Sequence, residues 1–151
     1  MDFENAKIGR YELSVEIEKP VALVWQALTQ ETNSWWLPDF HMVAPDSTVT
    51  LEARAGGRLI EETEVGASLL WASVAMIVPQ ERILFVGGHF PAWGGPATSM
   101  LEWRLESTDN GSRLLVSDSL IGQVTEDTVS SLEHGWRELF SNGLGKHCLA
   151  K

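Results

Sequence analysis

The sequence predicts an α+β domain in which a curved antiparallel sheet of about six to seven strands wraps around a long C-terminal helix. Three observations carry this. Thr125 to Lys151 reads as one amphipathic helix, with Val129, Leu132, Trp136, Leu139 and Gly143 recurring at steps of three and four on one face. Most of the chain before it alternates apolar and polar residues with the period of a strand. Turn signals separate these runs, Asn110-Gly111 being the strongest. A helix with a single apolar face has to bury it, and here only a sheet is available. A cavity between the two is the expected working part.

The elements follow in order. Tyr11, Leu13, Val15 and Ile17 alternate with Glu12, Ser14, Glu16 and Glu18, which gives a strand with one wet face. Pro20 suits a first helical turn, and Val21, Val24, Trp25 and Leu28 form the apolar stripe of that helix. A second short helix is expected from Glu31 to Trp36, stopped by Pro38. Leu37 to Ser47 reads as a loop. Strands are then expected over Val49–Arg54, Arg58–Glu64, Leu69–Val78, Ile83–Phe90, Met100–Ser107 and Arg113–Ile121. Their turns fall at Gly56-Gly57, at Val65-Gly66-Ala67, at Pro79 to Arg82, and in the proline- and glycine-rich loop Pro91–Pro96. Thr125 is the expected cap of the last helix, with Glu126 and Asp127 at its positive end and Lys146, His147 and Lys151 at its negative end. Ser130 with Glu133 also matches a capping-box pattern, which suggests a fraying start.

The 151 residues fit one domain, 1–151, with no repeat and no linker. A net charge of -10 argues against nucleic acid or an anionic membrane as partner, since both need a basic footprint. No apolar run is long enough to insert into a bilayer as a helix. The first residues lack the pattern of a signal peptide, and Cys148 is the only cysteine, so a reducing, cytoplasmic setting is expected. Cys148 itself reads as a packing residue. No cofactor motif or metal-ligand spacing is present, and the paired glycines are turn residues. Tryptophan stands out, with seven in a small domain, and indoles suit the walls of an apolar cavity as well as a core.

Several local motifs fall in an order that resembles the START-like, or SRPBCC, helix-grip superfamily. They are Pro20 with Val24-Trp25, Trp35-Trp36-Leu37-Pro38, Gly56-Gly57-Arg58 with Glu61, Trp71 before Val74, Pro79-Gln80-Glu81-Arg82-Ile83, and Gly135-Trp136. The pattern is most similar to the branch of homologues of the activator of heat-shock protein 90 ATPase. That resemblance covers nearly the whole chain and implies a helix-grip fold. It also implies one of three activities: binding of apolar molecules, cyclase- or dehydratase-like chemistry, or co-chaperone-like contact with another protein.

Strand parity supplies the candidate site. Leu101, Trp103 and Leu105 share a face, as do Leu114, Val116, Asp118 and Leu120, and as do Ile83, Phe85, Gly87 and His89. With those faces inward, Asp118 is a carboxylate on an apolar wall, and the glycines at 87 and 88 either leave room for a guest or mark a bulge. The expected walls are Trp36, Trp71, Phe85, Trp103, Trp136, Leu139 and Phe140, with Trp93 at the mouth. Glu61, His89 and Asp118 are the expected orienting polar groups and the candidates for acid–base catalysis, because burial in an apolar cavity raises a carboxyl pKa. The alternative for Glu61 and Asp118 is pairing with Arg58, Arg104 or Arg113, or exposure to water. The favoured reading is a carrier of a small apolar or aromatic molecule. An enzyme and a chaperone-binding module are the rivals, as monomer or homodimer.

Overall fold

The computed structural model describes residues 1–151. Strand β1 (Lys7–Ile17) leads to two short helices, α1 (Val21–Gln30) and α2 (Thr32–Trp35). Six more strands follow: β2 (Thr48–Leu51), β3 (Arg58–Glu62), β4 (Ser68–Val78), β5 (Arg82–His89), β6 (Ala97–Thr108) and β7 (Gly111–Gly122). They form one antiparallel sheet in the order β1-β7-β6-β5-β4-β3-β2, so the two short helices carry the chain from one edge to the other. Helix α3 (Glu126–Glu138) continues through a π-helical segment, Leu139–Gly145, into α4 (Lys146–Leu149). This is the α+β helix-grip arrangement, with a seven-stranded curved sheet and a C-terminal helix of 24 residues. No helix is long and apolar enough to cross a membrane.

Alternation does what the sequence implies. Tyr11, Leu13, Val15 and Ile17 of β1 are buried and the residues between them are exposed. In β7, Ser112, Leu114, Val116, Asp118 and Leu120 all face inward. Several strands stop where a side chain or turn captures the backbone. Leu51 ends β2 because the Glu52 carboxylate accepts from both the backbone N–H and the guanidinium of Arg58, closing the turn. Glu62 ends β3 because Thr63 N–H bonds Ala67 O at 2.8 Å across the next turn. At the other extreme, β6 starts at Ala97, three residues before the expected Met100, since Ala97 to Ser99 pair with β5 and β7.

The C-terminal helix is capped at Thr125 as expected. Its hydroxyl accepts from Thr128 N–H, and the Thr128 hydroxyl accepts in return from Thr125 N–H. Ser130 and Glu133 therefore lie inside the helix, and Glu133 pairs with Arg137 at 3.1 Å instead of capping. The helix has two unlike halves. No residue of α3 is fully buried, whereas Leu139, Phe140, Gly143, Leu144, Gly145 and Cys148 beyond it are. The second half docks because Gly143 lies against α2: a Cβ there would sit 2.4 Å from the carbonyl oxygen of Trp35. Only glycine permits that approach.

Under this second half the core is an aromatic cluster. Phe85 and Trp103 pack edge to face at 4.6 Å, Trp103 meets Phe140 at 5.2 Å, and Phe140 stacks on Trp136 at 5.5 Å. Trp35 and Trp36 extend the cluster towards α2. Deleting one such ring costs about 3–5 kcal/mol, because the hole left behind closes only in part. The interior is thus solid at one end of the helix. The other end is different.

Candidate functional site

Beneath α3, where the helix is only half buried, a cavity of about 280 Å³ remains. Leu59, Ala72 and Leu101 form its floor on the sheet, Leu132 and Trp136 its roof on α3, and Met42 one side wall. Trp71, His89 and Asp118 line it, and Trp93 lies at its rim, half exposed and packed on Phe90 at 5.5 Å. The lining is mostly apolar and contains no lysine or arginine. Its volume is that of about nine waters, on the scale of a guest with one or two rings.

The opening comes from a fork in the sheet. The β4–β5 pairing runs from Val78↔Arg82 to Ser73↔Val86 and stops, after a register shift between Val74 and Met76. Beyond it, Leu69 to Ala72 and Gly87 to His89 have no partners across this seam, although β4 stays paired with β3 and β5 with β6. Residues on both sides of the fork line the cavity. Gly87 eases the approach of the two strands there: a Cβ would lie 3.0 Å from the Trp71 carbonyl oxygen, a tight contact. Gly88 faces open space.

Asp118 is the polar centre of the floor. Tyr11 stands directly opposite it on β1 and donates its hydroxyl to Oδ2 at 2.8 Å. Ser99 donates to Oδ1 at 2.5 Å from the β6 side. Asp118 is 4 % exposed and belongs to no ion pair. Burial pushes its carboxyl above the usual carboxylate range, and the two hydroxyls and the nearby His89 pull it only part of the way back. The same burial, followed by the negative charge of Asp118, raises the Tyr11 phenol, so Tyr11 remains a donor. Arginine pairing, the alternative for Asp118, is absent because Arg113 is held by Glu16 and Glu106 outside.

Glu61 departs from expectation in a more interesting way. It is fully buried, yet it neither lines the cavity nor pairs with Arg58, which is bound to Glu52. Its carboxylate accepts from Ser47 Oγ at 2.6 Å, Val43 N at 2.7 Å, Met42 N at 3.1 Å and Trp71 Nε1 at 3.1 Å. Burial acts to raise its pKa, but these four donors together hold it below the ordinary value. A carboxylate so held is ionised at neutral pH and is a poor proton donor. It anchors instead, fixing the 37–47 loop that carries Met42 and the Trp71 wall at once. The Ser47 hydroxyl that reaches Glu61 also lies 2.8 Å from the Ala44 carbonyl oxygen and 3.0 Å from His41 Nδ1, which ties the end of the same loop together.

Of the other expected walls, Trp71, Trp93 and Trp136 line the cavity. Trp36, Phe85, Trp103, Leu139 and Phe140 lie in the interlocked core behind it, where Phe140 of the docked half of the helix packs on Trp103 and Trp103 on Phe85. Trp36 donates its indole N–H to Phe40 O at 3.1 Å. The indole N–H of Trp103 has no hydrogen-bond acceptor, and its ring packs among Phe85, Trp136 and Phe140. Tyr11, Ser99, Met42 and Leu132 join the site without having been expected there. Cys148 is buried, with burial pushing its thiol up to about 11, which fits packing and not reactivity. No three His, Cys, Asp or Glu side chains are grouped to hold a metal ion.

Known proteins place this geometry in context. No match was found among curated proteins. Solved structures are similar over nearly the whole chain. An uncharacterised protein from Rhizobium leguminosarum aligns with a TM-score of 0.73 at 17% identity, covering 97% of this chain and 98% of its own. Ara h 8.0201 aligns at 0.69 and 14% identity, over 96% and 100% of the two chains. DynU16, from the dynemicin biosynthetic locus, aligns at 0.67 and 20% identity over 91% of this chain but 46% of its own. At these identities the likeness concerns fold alone. A family model is more telling: residues 18–148 match that of the Activator of Hsp90 ATPase homolog 1-like proteins, and the chain belongs to that family.

Proposed function

We propose that this protein binds a small, largely apolar molecule in the cavity between the sheet and α3, with Asp118 and His89 orienting its polar end. The observation that carries the reading is the contrast along the helix. Where Phe140 and Leu144 sit, the side chains are fully buried in the core; where Leu132 and Trp136 sit, about 280 Å³ stays open and mostly apolar. Apolar side chains that line an open space lack packing contacts on one side. A guest restores them. The fork between β4 and β5 supplies an opening without requiring an element to unfold.

Glu61 supports the same reading from outside the cavity. Four hydrogen bonds to one carboxylate hold Met42 and Trp71 in place, which preorganises two walls before any guest arrives. Native mass spectrometry of the purified protein tests the proposal. A retained small molecule that is lost on mild activation supports it. A bare chain mass, combined with no change in tryptophan fluorescence across a panel of small aromatic compounds, counts against it.

A further inference from the structure

Asp118 is a carboxylate nearly out of water, with no lysine or arginine lining its cavity and no ion pair of its own. Both hydroxyls that touch it are donors to it, so the site is arranged around an acceptor. Each oxygen keeps a further lone pair, and Asp118 lines the cavity. A buried carboxylate without a cation is costly, and a cation arriving with the guest removes that cost. Three indoles, Trp71, Trp93 and Trp136, line the same space, and an indole ring attracts a positive charge over its face.

We infer that the cavity selects a small aromatic or aliphatic amine, whose ammonium group pairs with Asp118 between Tyr11 and Ser99 while its apolar body lies against Trp71 and Trp136. This rests on the reading of the cavity as a binding site. The raised Asp118 pKa adds a signature: wherever the empty site holds a proton on Asp118, binding the ammonium expels it. The ionisable groups facing Asp118 and its partner are Tyr11 on β1, His89 on β5 and Glu133 on α3.

The test compares 2-phenylethylamine, 2-phenylethanol and propylbenzene by calorimetry on the full chain, in wild type and in Asp118→Asn. The expected result is amine binding at least tenfold tighter than either neutral compound, with proton release in mildly acidic buffer. Both features disappear in Asp118→Asn. Should Asp118→Asn not fold, the wild-type profile decides: the amine preference must collapse as pH falls through the Asp118 titration. Binding of propylbenzene or 2-phenylethanol as tight as the amine overturns the inference but leaves the cavity reading standing. No binding of any of the three overturns both.

Discussion

Tyr11 and Asp118 face each other across the β1–β7 pairing, the phenol hydroxyl 2.8 Å from Oδ2, where the cavity floor carries a buried carboxyl. Tyr11→Phe keeps the ring and removes the donor. Because that hydrogen bond favours the charged carboxylate, its loss moves the Asp118 pKa further up. The expected stability loss at neutral pH is about 1.5–3 kcal/mol, the range for a hydrogen bond to a charged group. The Asp118 carboxyl carbon shift in an NMR titration checks the direction.

The sign of the pH dependence follows. A carboxyl with a raised folded pKa contributes stability below its unfolded value and loses it as pH climbs through the folded one. Asp118→Asn therefore flattens that loss, and denaturant unfolding curves between pH 4 and 8 for the two proteins should converge at the acid end.

Glu61 has the opposite sign. Its folded pKa is lowered, so its contribution is present above the ordinary value of 4.5 and is lost as pH falls through the folded value. Glu61→Gln brings an amide with one acceptor oxygen to four donors. Donors left unsatisfied cost about 1–3 kcal/mol each, so a loss of roughly 2–5 kcal/mol is expected. Amide exchange should quicken at Met42 and Val43, whose N–H groups then lack their acceptor.

The aromatics divide by depth. Trp103→Ala, in the interlocked core, should cost about 3–5 kcal/mol. Trp71→Ala, at the cavity wall, should cost less and change affinity for a small aromatic guest by tenfold or more. Chemical denaturation and a fluorescence titration on both variants make the comparison.

Leu132→Trp extends a larger side chain from α3 into the open space. Since it fills a void and Leu132 is only partly buried, stability should change by about 1 kcal/mol or less, while guest binding is abolished. Loss of folding instead would mean that the space beneath α3 is already full.

Much of this architecture is legible in the residues, and the misses have physical causes. Asp118 faces inward because every second residue of β7 does, and Val116 and Leu120 announce it. Its partners were hidden. Tyr11 reaches Asp118 only because the first strand pairs with the seventh, a contact between residues 107 apart that no local pattern encodes. Ser99 lies before the point where apolar alternation becomes visible, although its parity with Leu101 places it on the same face. Glu61 has the right parity as well, but nothing local says that the loop from 37 to 47 folds back to donate to it. The tryptophans share one signature whether they wall a cavity or fill a core. What separates Trp136 from Phe140 is one helical turn, across which the helix passes from half-buried to docked.

The cavity beneath α3 is the claim on which the rest stands, and NMR with naphthalene as guest tests it most directly. Titration into isotopically labelled protein should move the resonances of Leu101, Leu132 and the Trp71 and Trp136 indoles in a saturable way, leaving Phe85 and Phe140 almost unchanged. Shifts confined to the outer face of the sheet, at Val86, Met100 and Ile121, or no saturable shifts at all, would contradict the account.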